Sequence, residues 1–385
     1  MDWDEPEEIK QLRDAVRRLM EPFGFEYFAE TSRAGRSPTE LWRELGRAGF
    51  LGVNIPEEYG GGGQGIRELA VVTEEVAAAG SPLMLLALSP AVCAAILVRH
   101  GTSEQQQTWL PGLASGERIM AFAITEPDAG TNSYNITTTA RRDGSDWVLR
   151  GTKYYVSHVD NADAILVVAR TGTDEGTGRA RLSLFIMPSD APGLERSLIE
   201  VDILSPERQF TLHLDSVRLP ADALVGTEDE GLRATFSGLN PERIGSAAVV
   251  NGISRYLTDR ATTYARDRTV WKVPIGAHQA IAHPLARAHV HVELARLATA
   301  RAAALYDEGQ DRSGEQANLA KYAATEAAEQ MLDAAIQTHG GNGMATGFGI
   351  SAMWGLVRLF RIAPVSSEMV LNHIAQHTLG LPRSY

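Results

Sequence analysis

Helices toward both ends of the chain with strands between them, a segregated α+β fold, is what the sequence predicts, and three observations predict it. Apolar residues recur at intervals of three and four up to about Gly116. Short β-branched and aromatic runs separated by Gly, Asp, Asn and Pro clusters fill roughly 117–226. The helical period then returns and persists. The chain therefore divides into an N-terminal α-helical domain over 1–116, a middle β domain over 117–226 and a C-terminal helical bundle over 227–385. A length of 385 residues, at about 100–200 per domain, allows two or three.

Taken in order, Ile9, Leu12, Val16 and Leu19 lay one apolar stripe along a first helix. Ser37-Pro38-Thr39-Glu40 carries an N-cap serine, a proline for the first helical position and a reach-back glutamate. Ser89-Pro90 repeats the start signal and Gly101 supplies a stop. The apolar window 81–98 is broken by Pro82 and Pro90 and reads as a buried core helix rather than a membrane span. In the middle, 147–149, 164–168 and 182–186 read as strands of an antiparallel sheet or barrel, with Thr171–Gly178 as a polar hairpin tip. Beyond Gly226, Ile253, Leu257, Ala261 and Ala265 form a stripe. Alanine-rich segments around 292–306 and 317–336 have high helix propensity, and helices of such length predict a bundle.

Composition removes several function classes. Thirty-six Lys and Arg against 48 Asp and Glu give a formal net charge of −12, the wrong sign for a sequence-independent grip on nucleic acid. The single cysteine, Cys93, excludes an internal disulfide framework and every multi-cysteine metal pattern, and suits a cytoplasmic protein. The acidic start, Met1 to Glu8, lacks the basic and apolar regions of a secretory signal. Walker A, H-E-x-x-H, G-x-S-x-G and a strand-borne G-x-G-x-x-G are all missing. The run Gly60 to Gly63 has no preceding strand or partner lysine and reads as a flexible turn. His289 and His291 stand at i and i+2, which do not share a helix face, so no metal site is expected.

The segment Phe122-Ala123-Ile124-Thr125-Glu126-Pro127-Asp128-Ala129-Gly130-Thr131-Asn132, where helices give way to strands, resembles the acyl-CoA dehydrogenase family of FAD-dependent enzymes. Further blocks follow in the family's order. They are Gly151-Thr152-Lys153-Tyr154-Tyr155-Val156-Ser157, Leu214 to Pro220, Arg266-Asp267-Arg268 with Gln279, Gln337-Thr338-His339-Gly340-Gly341-Asn342-Gly343, and Leu379-Gly380-Leu381-Pro382. They span almost the whole chain.

The resemblance implies a helical domain, a β domain and a C-terminal four-helix bundle, assembled as a tetramer, with FAD as cofactor. It implies that Phe122 and Thr125 line the isoalloxazine, that Tyr155 packs on it and that Ser157 bonds near flavin N5. Arg268, Trp271 and Gln279 would meet the FAD of a neighbouring subunit, with Gln337, Gly340 and Gly341 at its pyrophosphate, and Ser366 and Glu368 would complete the dinucleotide site. Glycine suits such a place because absence of Cβ lets backbone amides approach a phosphate.

The family's reaction removes a proton from Cα of an acyl thioester and a hydride from Cβ to the flavin, which requires a positioned carboxylate. Many members carry it in a Tyr-Glu-Gly-Thr segment. Here the matching stretch is Ala363-Pro364-Val365-Ser366, and Pro364 offers neither a carboxylate nor an N–H. A branch resembling isovaleryl-CoA and long-chain dehydrogenases carries the glutamate earlier, before an arginine. Asn240-Pro241-Glu242-Arg243 matches that place, making Glu242 the candidate base. The competing reading is structural, with Asn240-Pro241 as a helix start where an acid is favoured. Asn240 and Arg243 would flank the pantetheine arm. Thr131, at the cofactor and near the thioester, replaces a usual serine, and Asn132 replaces a common aspartate. The resemblance implies an acyl-CoA substrate and an electron-transfer flavoprotein as acceptor. Its alternatives are a carrier-protein thioester, or an FAD-binding subunit of a hetero-oligomer.

Overall fold

The computed structural model describes residues 5–383; Met1 to Asp4, on which half of the expected non-secretory start rests, lie outside the described residues, as do Ser384 and Tyr385. Seven helices lead the chain: α1 Glu7–Met20, α2 Phe25–Arg33, α3 Thr39–Arg47, α4 Ile66–Ala78, α5 Leu85–Leu88, α6 Ala95–His100 and α7 Ser103–Ser115. Eight strands follow: β1 Met120–Ala123, β2 Thr139–Asp143, β3 Asp146–Ser157, β4 Ala164–Thr173, β5 Ala180–Pro188, β6 Leu194–Ile199, β7 Gln209–Leu219 and β8 Leu224–Val225. Three long helices, α8 Gly231–Asp267, α9 Gln279–Asp307 and α10 Ser313–His339, pack on one another, and short α11 Trp354–Ile362 and α12 Ser367–His373 close the chain. A small hairpin, β9 Thr269–Val270 with β10 Val273–Pro274, joins α8 to α9.

The stripe residues behave as their spacing requires. Ile9 and Val16 are buried, as are Ile253, Leu257, Ala261 and Ala265. One helical core joins α1–α4 to α8–α11, while the sheet buries one face against the helices of 92–114 and the other on itself around Trp147 and Phe185. Among the described residues no helix is long and apolar enough to cross a membrane.

Four local expectations need correction. The sheet is open and mixed, running β6-β7-β3-β2-β4-β5-β8, because β1 pairs with β4 in parallel and β2 meets β4 in parallel at Thr139 and Arg170. Pro38, with ψ of 47°, takes the N-cap place that Ser37 was expected to hold, without a side-chain cap; the Ser37 hydroxyl lies 3.4 Å from His158 Nε2. Ser89-Pro90 starts no α-helix: it opens a π-helical segment, Ser89–Ala94, that joins α5 to α6, and Ser89 Oγ accepts the Met120 amide at 3.3 Å. The turn at Gly61 to Gly63 is tied down, since all three amides donate to carbonyls of residues 52–56.

Candidate active site

The first cluster lies where β1 runs into the loop before β2. Phe122 is buried on β1, and the Tyr154 amide donates to the Thr125 carbonyl at 2.8 Å, joining this loop to β3. The register of β3 on β7 slips between Lys153 and Val156, and at that bulge Tyr155 adopts φ of +54°. Its ring is thereby turned outward, 53% exposed, with the Tyr154 ring 4.4 Å away. Ser157 follows at the strand end and donates its hydroxyl to Gln209 Oε1 at 2.9 Å, a side-chain rather than backbone partner. Phe122, Thr125, Tyr155 and Ser157 thus come from neighbouring elements, whereas Thr131 is exposed in the loop beyond.

A buried ion pair that the motif reading did not single out holds this loop. Lys153 is fully buried and donates to Glu126 Oε1 at 2.9 Å and to the Ile124 carbonyl at 3.0 Å. Glu126 also accepts the amides of Thr137 and Thr138 at 2.7 and 2.9 Å. Burial pushes the Glu126 carboxyl up, but Lys153 and these donors outweigh it and take it down to about 2. The signal was present in the sequence: Lys153 shares the inward strand face with Leu149, where a lysine needs a charged partner.

The second cluster lies on α8. The helix continues without a break through Asn240-Pro241, so this pair is no helix start, and the reading of Glu242 as a capping acid is lost. A proline inside a helix costs roughly 3 kcal/mol, because it removes one hydrogen bond and crowds the preceding turn. Gly238 and Gly245, four residues before Glu242 and three after, share a helix face with it. A Cβ on Gly238 would stand 2.9 Å from Ile96, and one on Gly245 would stand 3.2 Å from Ala87, so α8 packs tightly on the helical run 85–100. Glu242 faces the same run, where the burial of Cys93, and after it the Glu242 charge, push the Cys93 thiol up. No hydrogen bond or ion pair reaches the Glu242 carboxylate among the described residues. Burial raises it to about 7, against a smaller lowering by Arg243. Asn240 and Arg243 point elsewhere, toward α10: Arg243 Nη1 donates to Asn318 Oδ1 at 2.9 Å, and Asn240 lies against Gly314.

Ser366 and Glu368 lie near this second cluster, at the start of α12, where Ser366 Oγ accepts the Met369 amide. Pro364 stands between α11 and α12. The stretch is held by Lys321 of α10, fully buried, which donates to the carbonyls of Arg361, at 3.3 Å, and Val365. Burial lowers Lys321 to about 8 despite Glu368. The third cluster is the far end of the bundle. Arg268, exposed Trp271 and Gln279 surround the β9–β10 hairpin, and Gln337, Gly340 and Gly341 follow α10. Tyr264 bridges these groups by accepting from Asn342 at 3.1 Å and stacking on His339. Among the described residues no hydrogen bond, ion pair or ring contact links this third cluster to the first.

Comparison with known proteins accounts for the arrangement. The acyl-CoA dehydrogenase N-terminal domain matches residues 6–117, the middle domain 121–203 and the C-terminal domain 229–379. Acyl-CoA dehydrogenase FadE12 of Mycobacterium tuberculosis is 54% identical over 382 residues, 99% of this chain and 98% of its own length. The chain belongs to the acyl-CoA dehydrogenase family. Among solved structures, a glutaryl-CoA dehydrogenase from Mycobacterium smegmatis in complex with FADH2 superposes with a TM-score of 0.91 at 27% identity, covering 99% of this chain and 96% of that one. A chain from the work on the electron transferring flavoprotein of Acidaminococcus fermentans gives 0.91 at 27% identity, covering 98% and 100%. As a member of this family the protein is a flavoprotein oxidoreductase acting on CH–CH donors, with FAD as its cofactor.

The residues of this acyl-CoA dehydrogenase fit that cofactor. Tyr155 presents a ring outward beside Thr125 and Ser157. Gly340, at φ of +59°, and Gly341 expose backbone with no atom within 4 Å of an added Cβ, as close approach by a phosphate requires.

Proposed function

We propose that the enzyme oxidises an acyl-CoA to the trans-2-enoyl-CoA with Glu242 as the base that takes the α-proton. The observation that carries this reading is the position of Glu242. Among the described residues it is a carboxylate without an ion-pair partner, on the tight face between α8 and the run 85–100, raised by burial to about 7. A base works best with a pKa near the working pH, and this carboxylate is tuned there by its surroundings. Pro364 at the family's other base position leaves that role to Glu242.

FAD, when bound, supplies the acceptor for the β-hydride. Phe122, Thr125, Tyr155 and Ser157 orient its ring system, with Thr131 at the loop beside the thioester. Asn240 and Arg243 line the pantetheine arm from the α10 side of α8. The separation of the bundle-end cluster from the β1–β3 cluster supports a shared dinucleotide site. Arg268, Trp271, Gln279, Gln337, Gly340 and Gly341 then serve the FAD of a second copy in a homotetramer, and Ser366 and Glu368 complete the site. The likeness to a chain from an electron-transferring flavoprotein study supports an electron-transfer flavoprotein as acceptor.

An anaerobic absorbance scan with butyryl-, isovaleryl-, glutaryl- and octanoyl-CoA tests the reading. Bleaching of the flavin by one of them is expected, and its loss in Glu242→Gln. Bleaching that survives this substitution unchanged removes Glu242 from the role.

A further inference from the structure

Pro241, immediately before the base, leaves a specific debt in the helix. A residue in that place normally donates its amide to the carbonyl four residues back, and proline has no amide to donate. The carbonyl concerned is Ser237, and it is satisfied from outside the helix: Tyr306 of α9 donates its hydroxyl to it at 2.8 Å. Tyr306 is 5% exposed and its own placement is secured on several sides. The Arg99 guanidinium lies 4.5 Å over its ring. Asp307, the next residue, accepts the amides of Ile66 and Arg67 at 2.8 and 2.9 Å, locking the end of α9 to the start of α4. The Ser237 hydroxyl meets His100 Nε2 at 2.6 Å, so the same turn is also pinned to the end of α6.

We propose that Tyr306 is a positioning residue for Glu242: its hydroxyl replaces the hydrogen bond that Pro241 cannot make and so fixes the helical turn from which the base projects. The inference rests on Glu242 being the base. Catalysis is sensitive to such placement, because a shift of about 1 Å in a reacting group can cost on the order of 100-fold. The interaction is also of a kind that can be undone and restored. Alanine at 241 returns the amide, and the Ser237 carbonyl then regains its partner within the helix.

The test is a double-mutant cycle between positions 306 and 241, using the acyl-CoA of the panel above that bleaches the flavin fastest. Tyr306→Phe is expected to lower kcat roughly 10- to 100-fold with little change in KM. In the Pro241→Ala background the same Tyr306→Phe change is expected to cost less than about threefold. Two further readouts follow the base itself. The acidic limb of the kcat/KM pH profile should shift in Tyr306→Phe and return in the double variant. Amide hydrogen exchange across 238–245 should speed up in Tyr306→Phe alone. Equal losses of kcat in both backgrounds, or no loss in either, overturn the proposal. If Tyr306→Phe purifies without flavin, Pro241→Ala and the double variant decide: similar kcat in the two supports the proposal, and a large further loss in the double variant overturns it. Glu242→Gln is run alongside. Turnover that survives it removes the base assignment itself, whereas its inactivity with an unaltered Tyr306→Phe removes only the positioning role.

Discussion

Two glutamates of the helical core region, Glu75 and Glu242, have opposite fates. Glu75 of α4 is 2% exposed and surrounded by cations: Arg13 Nη1 at 2.7 Å, Arg17 Nε at 2.9 Å and Arg255 Nη1 at 2.7 Å. Burial raises its carboxyl, but the three arginines win and take it down to about 2. Among the described residues the cation that acts on Glu242 of α8 is Arg243, whose guanidinium is turned to Asn318, and burial wins there. Residue type is shared; helix and exposure are not, since Glu75 is buried on α4 and Glu242 is half-buried on α8. What separates the two carboxyls is how many donors converge on each.

Breaking each acid tests the contrast most strongly. Glu242→Gln should reduce turnover by up to about 10⁴-fold, some 5.5 kcal/mol at the transition state, while leaving the melting temperature unchanged or higher; a stopped-flow reductive half-reaction and a thermal melt read both. Glu75→Gln should do the reverse, costing about 1–3 kcal/mol of stability by removing the charge that Arg13, Arg17 and Arg255 share while leaving them Glu5, Asp14 and Glu74, with the chemical step in the folded enzyme unchanged. Denaturant titration measures the first quantity. A Glu75→Gln protein as stable as the parent would mean that the network is ornamental.

The packing around Glu242 gives a smaller effect. Gly245→Ala places a methyl 3.2 Å from Ala87, and overpacking of this kind costs about 1–3 kcal/mol. Because the displaced face carries Glu242, the proposed base, kcat should fall with stability, which kinetics and melting on one preparation can establish.

The gentlest test is pH. The raised Glu242 carboxyl must be ionised to accept a proton, so kcat/KM should fall about tenfold per unit below pH 7. The two acids act on stability with opposite signs. Glu75 is depressed from 4.5 to about 2, so its contribution is present above pH 4.5 and lost as pH falls toward 2. Glu242 is raised from 4.5 to about 7, so its contribution is present below pH 4.5 and lost as pH rises through 7. Melting curves of parent and Glu242→Gln across pH 4.5 to 8 should diverge only through that second window.

Local periodicity carried most of the architecture. The runs at 147–149, 164–168 and 182–186 lie inside β3, β4 and β5, and the alanine-rich segments lie within α9 and α10, because alternation and helical spacing are properties of neighbours in sequence. The clusters of the candidate site were legible as motifs. What escaped was set by distant partners. α8 runs through Asn240-Pro241, although that dipeptide resembles a start, because a tyrosine 69 residues from Ser237 meets the freed carbonyl. The loop at 124–138 is held by Lys153, 27 residues beyond Glu126. The π-helical segment Ser89–Ala94 reflects packing against β1 that no local signal carries.

The last turn of α9 also has a mechanical consequence. Its two adjacent residues grip different helices, Tyr306 holding α8 and Asp307 the first turn of α4, so the three helices behave as a braced frame. Opposite the Glu242 face of α8 stands the run 85–100, close-packed on Gly238 and Gly245. The turn that carries Glu242 is thus clamped from two sides, by a tyrosine hydroxyl on one and by side-chain contact on the other.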